Sequence, residues 1–183
     1  QDAVLENEDI NAVLIATRHA GHAALTAAAL AAGKNVLVEK PLALTREELN
    51  TVIEARNRSD AFFQVGFNRR FAPMATEVAR HLQGRPSPRF VLMRINAGAL
   101  PADSWQNAPE EGHGRILGEL CHFVDLARFW IGAPINSVQA AAATVTQGAC
   151  DDLTATLRFA DGSLATIAYT AKGDSSFSKE LFE

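Results

Sequence analysis

Short apolar runs alternate with helical segments over residues 10–67, and this alternation constrains the fold more than any other feature. Residues 10–17, INAVLIAT, are continuously apolar and rich in β-branched side chains, which predicts a strand buried on both faces. The alanine-rich segment 22–32 predicts a helix that stops at Gly33. The next run, NVLVEK at 35–40, predicts a second strand, so a parallel sheet is the expected setting.

The same alternation continues with a predicted helix over 46–58 and a predicted strand over 62–67. Thr45 and Glu48 form a capping box that marks where this helix begins. Strand, helix, strand, helix, strand in this order predicts βαβ units with right-handed crossovers, as in a doubly wound sheet. The residues contain no strand followed by G-x-G-x-x-G, the loop that opens a nucleotide-binding sheet of this kind. We therefore expect a truncated Rossmann-type parallel sheet over residues 1–71.

After Phe71 the pattern changes to that of an α+β domain over residues 72–183. The elements predicted from periodicity and turn signals are a helix at 73–83, a half-buried antiparallel strand at 89–97, a helix at 115–131, and strands at 137–145, 153–160 and 163–171. Asp161-Gly162 is a hairpin signal between the last two strands. These elements predict an open, mainly antiparallel sheet with helices on one face.

Composition excludes several classes of function. A formal net charge of -4 without a basic block argues against nucleic acid as a partner, because neutralising phosphates requires clustered Lys and Arg. The apolar runs are too short for a bilayer span and the first residues are acidic, so we expect no membrane role and a cytosolic protein. Cys121 and Cys150 lack metal or disulfide spacing, and we expect reduced thiols. Because the chain starts at Gln1 without a methionine, we expect a piece of a longer protein.

Lys40 is the first candidate for chemistry because it follows a predicted parallel strand. In open α/β sheets, ligands bind in the crevice outside the carboxyl ends of the strands. A lysine at that place can donate a hydrogen bond to a substrate hydroxyl or move its proton. Pro41 is a candidate for a cis peptide bond, which would fix the direction of Lys40. The alternative is a solvated lysine at the end of the strand with Glu39 as its surface partner.

The predicted helix 115–131 carries the second group of candidates. Glu119 and Asp125 lie three residues before and after His122, and Arg115 lies four residues before Glu119, so the four can share one polar face. A histidine between two carboxylates has partners to orient it and titrates in a range suited to proton transfer. The alternative is a solvated helix face with a half-buried histidine.

The segment ATRHAGH, residues 16–22, lies at a second junction between strand and helix. Thr17, His19 and His22 stand where backbone amides and short polar side chains commonly meet a cofactor. The two histidines are equally compatible with ordinary positions at a helix start. We expect no metal site, because no third and fourth ligand follows at a recognisable spacing.

Taken in order, the segments ATRHAGHAAL, AGKNVLVEKPLAL, VGFNRRFAP and GHGRILGELCHFVDL resemble the Gfo/Idh/MocA oxidoreductase family. Members of that family join a nucleotide-binding Rossmann domain to an α/β domain with a large open sheet. They oxidise or reduce sugar-like hydroxyls with NAD or NADP. The resemblance implies that Lys40 of the E-K-P motif contacts the hydroxyl being oxidised and that His122 is an acid/base or a substrate ligand. It also implies that Thr17 and His22 lie near the nicotinamide.

Three groups of candidate residues result from these motifs. The catalytic candidates are Lys40, His122 and Glu119; the cofactor candidates are Thr17, His22, Glu39, Lys40 and Pro41; the substrate candidates are Asn68, Arg69, His113, Arg115 and Asp125. Two positions depart from the family pattern. Gly118 stands where many relatives have an aspartate four residues before the histidine, and His113 replaces a common glycine in the turn before the helix. We expect His113 to narrow the entrance of the pocket or to contact substrate.

The function implied by the resemblance is hydride transfer between NAD or NADP and a hydroxyl-bearing carbon of a sugar or cyclitol. The phosphate-binding loop is missing from these residues, so we expect them alone to bind a dinucleotide poorly and to be inactive. Several segments also look like the C-terminal portions of bi-domain proteins in which an alcohol-dehydrogenase-like segment comes first. The alternative function is a non-catalytic interaction domain, with a homo-oligomer formed through the open sheet.

Overall fold

The computed structural model describes residues 1–101, 103–108, 110–112, 114–143 and 151–183. The described chain divides into two compact units. The first unit holds residues 1–67 with the described part of 108–113, and the second holds 68–107 with the described part of 114–183. Over these described residues, no helix combines the length and the apolar character needed to cross a bilayer.

The first unit is built on a three-stranded parallel sheet in the order β1-β2-β3. Its elements are α1 at Asp2–Leu5, β1 at Ala12–Ile15, α2 at His22–Ala31, β2 at Asn35–Val38, α3 at Arg46–Asn57 and β3 at Phe63–Val65. The predicted order of strands and helices and their parallel pairing are confirmed. A short 3₁₀ turn, His19–Gly21, lies between β1 and α2.

One face of this sheet is buried and the other is exposed. Val36 and Val38 of β2 pack with Leu30 of α2 in a core that both larger helices cover. On the opposite face Leu14 and Leu37, which are partners in the β1–β2 register, are 68% and 42% exposed. The prediction that the first strand is buried on both faces is therefore wrong for the described structure, because helices cover one side of the sheet only.

Local signals place the ends of the helices in this unit. The hydroxyl of Thr45 accepts a hydrogen bond from the Glu48 amide at 3.1 Å, and the Glu48 carboxylate accepts one from the Thr45 amide at 3.2 Å. The capping box is thus complete. Gly33 has φ +71°, a left-handed conformation that glycine adopts without the steric cost of a side chain, just after α2 ends.

The second unit contains a five-stranded sheet in the order β5-β6-β7-β4-β8. Its elements are α4 at Pro73–Leu82, β4 at Phe90–Asn96, α5 at Cys121–Ile131, β5 at Ile135–Ala142, β6 at Leu153–Phe159, β7 at Leu164–Thr170 and β8 at Glu180–Phe182. The mainly antiparallel character is confirmed, but β4 runs parallel to β7 and antiparallel only to β8. Strand β8 was not predicted from the sequence pattern, and residues 144 and 145 of the predicted strand 137–145 lie outside the described residues.

Helices α4 and α5 pack on one face of this sheet, as predicted. Phe123 of α5 shares a core with Met93 and Ile167 from the strands, and the Trp130 indole donates a hydrogen bond of 2.9 Å to the Ala75 carbonyl of α4. The other face bears partly or fully exposed side chains, among them Phe90.

The predicted helix 115–131 is not one continuous α-helix. A five-residue π-helical segment at Ile116–Leu120 precedes α5, and Gly118, a weak helix former, stands in the middle of it. Such segments occur frequently at functional sites because they change which side chains share a face. At its other end, α5 stops at Gly132 with φ +80°, as predicted.

Candidate functional site

The carboxyl edge of the parallel sheet carries the candidates of the first unit. Strands β1 and β2 run in the same direction and end at Ile15 and Val38, so Thr17 and Lys40 both follow strand ends at this edge. Lys40 is half-buried, and its backbone amide lies 3.3 Å from Oε2 of Glu39. This placement is the one in which open α/β sheets bind their ligands.

The backbone around Lys40 is closely confined. The peptide bond between Lys40 and Pro41 is cis, as the sequence analysis anticipated. Gly66, just after β3, donates its amide to the Val38 carbonyl at 2.7 Å. A Cβ atom at Gly66 would lie 3.3 Å from both Oε1 of Glu39 and the Val38 carbonyl oxygen, so only glycine allows this approach without displacement.

His22 joins the two loops that follow β1 and β2. His22 is 1% exposed. Nδ1 lies 2.7 Å from the carbonyl oxygen of Pro41 and Nε2 lies 2.9 Å from that of Thr17. The structure thus brings three cofactor candidates together, but both ring nitrogens of His22 face backbone oxygens. The Thr17 hydroxyl contacts the Arg18 carbonyl at 3.2 Å.

His19 contacts a distant segment of the same unit. Its Nδ1 lies 3.1 Å from the Gly112 carbonyl oxygen, and Arg18 beside it forms an ion pair with Glu111. Burial lowers the pKa of His19, and the nearby charges of Lys40 and His22 add to that effect, while the contact with Gly112 opposes it. A neutral ring that donates from Nδ1 fits this environment. His113 follows Gly112 in the chain and is a substrate candidate, but it lies outside the described residues.

The second unit places Glu119 at the centre of a polar cluster. Its Oε2 accepts hydrogen bonds from Nη1 of Arg115 at 2.7 Å and from the Tyr169 hydroxyl at 2.6 Å. Its Oε1 accepts one from Nζ of Lys179 at 2.6 Å. We call these four residues the Glu119 cluster. The helical spacing placed Arg115 and Glu119 on one predicted face, whereas Tyr169 and Lys179 were missed because nothing local marks them.

The charges of the Glu119 cluster keep its carboxylate ionised. Burial alone raises the pKa of Glu119, but the hydrogen bonds from Lys179 and Tyr169 and the positive charges of Lys179 and Arg115 outweigh burial, and the net pKa is lowered. Burial and the bond to Glu119 raise the pKa of Tyr169. At neutral pH the pair is therefore an ionised carboxylate and a protonated phenol. This state suits Glu119 to orienting its partners rather than to accepting a proton.

His122 is buried near the start of α5, and Asp125 lies one turn further along. Asp125 binds the guanidinium of Arg70 through both carboxylate oxygens, with Nε of Arg70 2.6 Å from Oδ2. The solvated polar face considered for this helix is wrong, since His122 is buried and the Asp125 side chain is 9% exposed.

The remaining substrate candidates, Asn68 and Arg69, lie in a 3₁₀ turn at Asn68–Phe71. Nη2 of Arg69 forms an ion pair of 2.6 Å with Glu180 of β8. Its guanidinium carbon lies 4.7 Å from the centre of the Phe123 ring, a cation–π arrangement. The described residues contain no group of three or more His, Cys, Asp or Glu placed to hold a metal ion.

Two family models match the chain. The model described as "Oxidoreductase family, NAD-binding Rossmann fold" matches residues 1–67, and the one described as "GFO/IDH/MocA C-terminal domain" matches residues 79–176. The first model covers most of the first unit and the second covers most of the second, while residues 68–78 between them are matched by neither.

Curated relatives and solved structures of similar sequence include several dehydrogenases. The chain is 36% identical over 141 residues to inositol 2-dehydrogenase 2 of Saccharopolyspora erythraea, covering 75% of this chain and 40% of that protein. It is 34% identical over 139 residues to scyllo-inositol 2-dehydrogenase (NAD(+)) of Bacillus subtilis, covering 74% and 39%. The structure of levoglucosan dehydrogenase in complex with NADH and levoglucosan superposes with a TM-score of 0.84 at 25% identity, covering 99% of this chain and 53% of that one. The chain thus spans about half the length of these proteins or less.

Proposed function

Because this chain belongs to the Gfo/Idh/MocA oxidoreductase family, we propose that the protein containing it transfers a hydride between a nicotinamide cofactor and a hydroxyl-bearing carbon of a sugar or cyclitol. The observation that carries the proposal is Lys40, half-buried at the carboxyl edge of a parallel sheet. The relatives named as inositol and levoglucosan dehydrogenases support the substrate class.

In this proposal, Lys40 donates a hydrogen bond to the reacting hydroxyl and takes up or returns its proton. His122 is the second acid/base or a ligand of the substrate, with Asn68, Arg69, His113, Arg115 and Asp125 as further candidates for substrate binding. Glu119 holds Arg115 and Tyr169 in place through its ionised carboxylate. The nicotinamide, when bound, supplies or accepts the hydride.

The residues present fit one end of the cofactor. Thr17, Glu39 and the cis peptide before Pro41 lie at the sheet edge where a nicotinamide would be held. The chain has no glycine-rich loop after a strand to bind the pyrophosphate. We therefore propose that residues 1–71 form the second half of a dinucleotide-binding domain, that 72–183 form a substrate-binding and oligomerisation domain, and that this chain alone binds NAD or NADP weakly.

The test uses the full-length gene product and a lysine variant. Wild-type protein is assayed at 340 nm with NAD or NADP against myo-inositol, scyllo-inositol and levoglucosan, and its binding of NADH and NADPH is measured by calorimetry. Lys40→Met should lower kcat by about 10²- to 10⁴-fold, the usual contribution of a positioned acid/base, while NADH still binds. Lys172→Met is the matched control, because that side chain is 75% exposed and forms an ion pair with Asp152 in the other unit. Absence of both turnover and cofactor binding in the wild type would refute the proposal.

A second function, self-association through the open sheet, is favoured by its outer face. Phe90 and Leu164 are paired in the register on this face, as are Leu92 and Thr166, and Phe90 is 65% exposed. We propose that a second copy packs on this face. Light scattering after size-exclusion chromatography should show a dimer for the wild type and a monomer for Thr166→Arg. Thr51→Arg, on an exposed helix surface of the first unit, should leave the dimer intact.

A further inference from the structure

The imidazole of His22 contacts two groups that can only accept hydrogen bonds. Both are backbone carbonyl oxygens, that of Pro41 at 2.7 Å from Nδ1 and that of Thr17 at 2.9 Å from Nε2. Both distances lie in the normal range for hydrogen bonds from nitrogen to oxygen. A neutral ring donates to one of the two at a time, and a doubly protonated ring donates to both. Because His22 is 1% exposed, water has little access to the ring nitrogens.

These two carbonyl groups belong to the loops that continue β1 and β2 beyond the sheet. The backbone hydrogen bond that connects the two strands at this edge runs from the Glu39 amide to the Ile15 carbonyl at 2.8 Å. Thr17 and Pro41 come two residues after Ile15 and Glu39, so the ring of His22 takes over as a crosslink just past the end of the strand ladder. Lys40 lies between that last ladder bond and the crosslink.

The helix that carries His22 is itself firmly placed. His22 is the first residue of α2, whose Ala29 and Leu30 are in the buried core of the unit. Just before it, a Cβ atom on Gly21 would lie 2.9 Å from the Thr17 hydroxyl oxygen, so the start of the helix lies close against the Thr17 side chain of the loop after β1. The ring is therefore held from a rigid element, as a group that positions others must be.

We propose that His22 is a positioning residue that acts through Pro41: its ring holds the Pro41 carbonyl group next to that of Thr17 and so fixes the backbone from which Lys40 extends. This role replaces the direct cofactor contact implied for His22 by the family resemblance. The catalytic consequence rests on the proposed function, because it takes Lys40 as the residue that meets the hydroxyl. The structural consequence, a fixed position of the backbone around Lys40, does not depend on the proposed function.

Two substitutions separate the two contacts of the ring. The side-chain amide nitrogen of Asn can take the place of Nδ1, and that of Gln can take the place of Nε2, so His22→Asn keeps the contact with Pro41 while His22→Gln keeps the one with Thr17. Each variant removes one of the two contacts of the ring, and we expect similar losses of melting temperature. In the full-length enzyme we expect His22→Gln to lower kcat by about 10- to 100-fold through misplacement of Lys40, with KM for NAD little changed. His22→Asn should retain most of kcat.

A second measurement does not depend on activity. The lysines of this chain are Lys34, Lys40, Lys172 and Lys179, so reductive methylation with ¹³C-formaldehyde gives a simple carbon NMR spectrum, assigned with single Lys→Arg variants. The Lys40 dimethylamine signal should shift or broaden in His22→Gln and keep its position in His22→Asn. The signals of Lys172 and Lys179 serve as internal controls.

The outcomes distinguish this inference from the proposed function. If the wild-type enzyme is active but the two variants lose kcat equally, or if the Lys40 signal is the same in both, the positioning role is wrong and the function stands. If the wild type is inactive while the Lys40 signal responds to His22→Gln alone, the function is wrong and the positioning role stands.

Discussion

The phenol oxygen of Tyr169 lies 2.6 Å from Oε2 of Glu119, although 50 residues separate them in the sequence. The contact joins the end of β7 to the π-helical segment before α5. The same carboxylate also binds Arg115 and Lys179. The neighbourhood of His122 is therefore held by a network in which the strand, the helix and the segment before β8 each contribute a side chain.

Removing this phenol should destabilise the second unit. Tyr169→Phe leaves the ring in place but removes the hydrogen bond to Glu119 and the contact of 3.1 Å with Arg115. We expect a loss of about 1–2 kcal/mol in the free energy of unfolding, since a partly buried charged group loses a donor. Urea denaturation followed by circular dichroism measures it. Thr156→Val is the control, because among the described residues its hydroxyl contacts that of Thr166 at a long 3.4 Å; an equal loss in both variants would contradict the prediction.

Glu119 should make the free energy of unfolding depend on pH in the acid range. Its pKa in the folded protein lies below the ordinary value of 4.5, so its ionised form stabilises the fold above the pKa of the unfolded state, and that stabilisation is lost as pH falls through the folded pKa. Glu119→Gln should therefore lower the free energy of unfolding at pH 7. As pH falls below 5, that free energy should decrease less in the variant than in the wild type. Unfolding free energies of both proteins over this range test the sign. A parallel decline in the two proteins would mean that Glu119 does not contribute.

The ion pair between Arg70 and Asp125 should contribute more to the free energy of unfolding than an exposed ion pair of the same chemistry. The Asp125 side chain is 9% exposed, and Arg70→Leu would leave its charge without the bidentate partner. We expect a loss of about 2 kcal/mol in the free energy of unfolding, measured by urea denaturation, with partial recovery in the double variant Arg70→Leu/Asp125→Asn. Arg80→Leu removes an exposed pair with Glu77 and should change stability little. Equal effects of Arg70→Leu and Arg80→Leu would argue against burial as the cause.

The capping box of α3 should contribute measurably to the stability of the first unit. Thr45→Ala removes the hydroxyl that accepts from the Glu48 amide, and we expect a loss of about 1 kcal/mol. Thr51→Ala on the same helix removes a hydroxyl that only donates back to the Glu47 carbonyl at 3.0 Å, and it should be neutral or slightly stabilising. Thermal unfolding of the two variants side by side gives the comparison; a larger loss for Thr51→Ala would contradict it.

Local signals in the sequence were sufficient to predict much of the fold of the first unit. The parallel order of strands, the capping box at Thr45 and the position of Lys40 after β2 are each encoded within a few neighbouring residues, by periodicity, turn chemistry or a hydrogen bond between near positions. The E-K-P motif added the family resemblance, which the family models bear out.

The sequence alone thus determined where the helices and most strands lie, which class of fold they form and that Lys40 stands at the end of a parallel strand. Only the tertiary structure decided that β4 pairs in parallel with β7, that Tyr169 and Lys179 bind Glu119, and that both nitrogens of His22 face backbone oxygens. The reason is physical: periodicity and capping depend on residues a few positions apart. The partners of a buried side chain depend on tertiary packing, strand order and register, which bring Tyr169 to Glu119 across 50 residues and Lys179 to Glu119 across 60 and leave no local pattern.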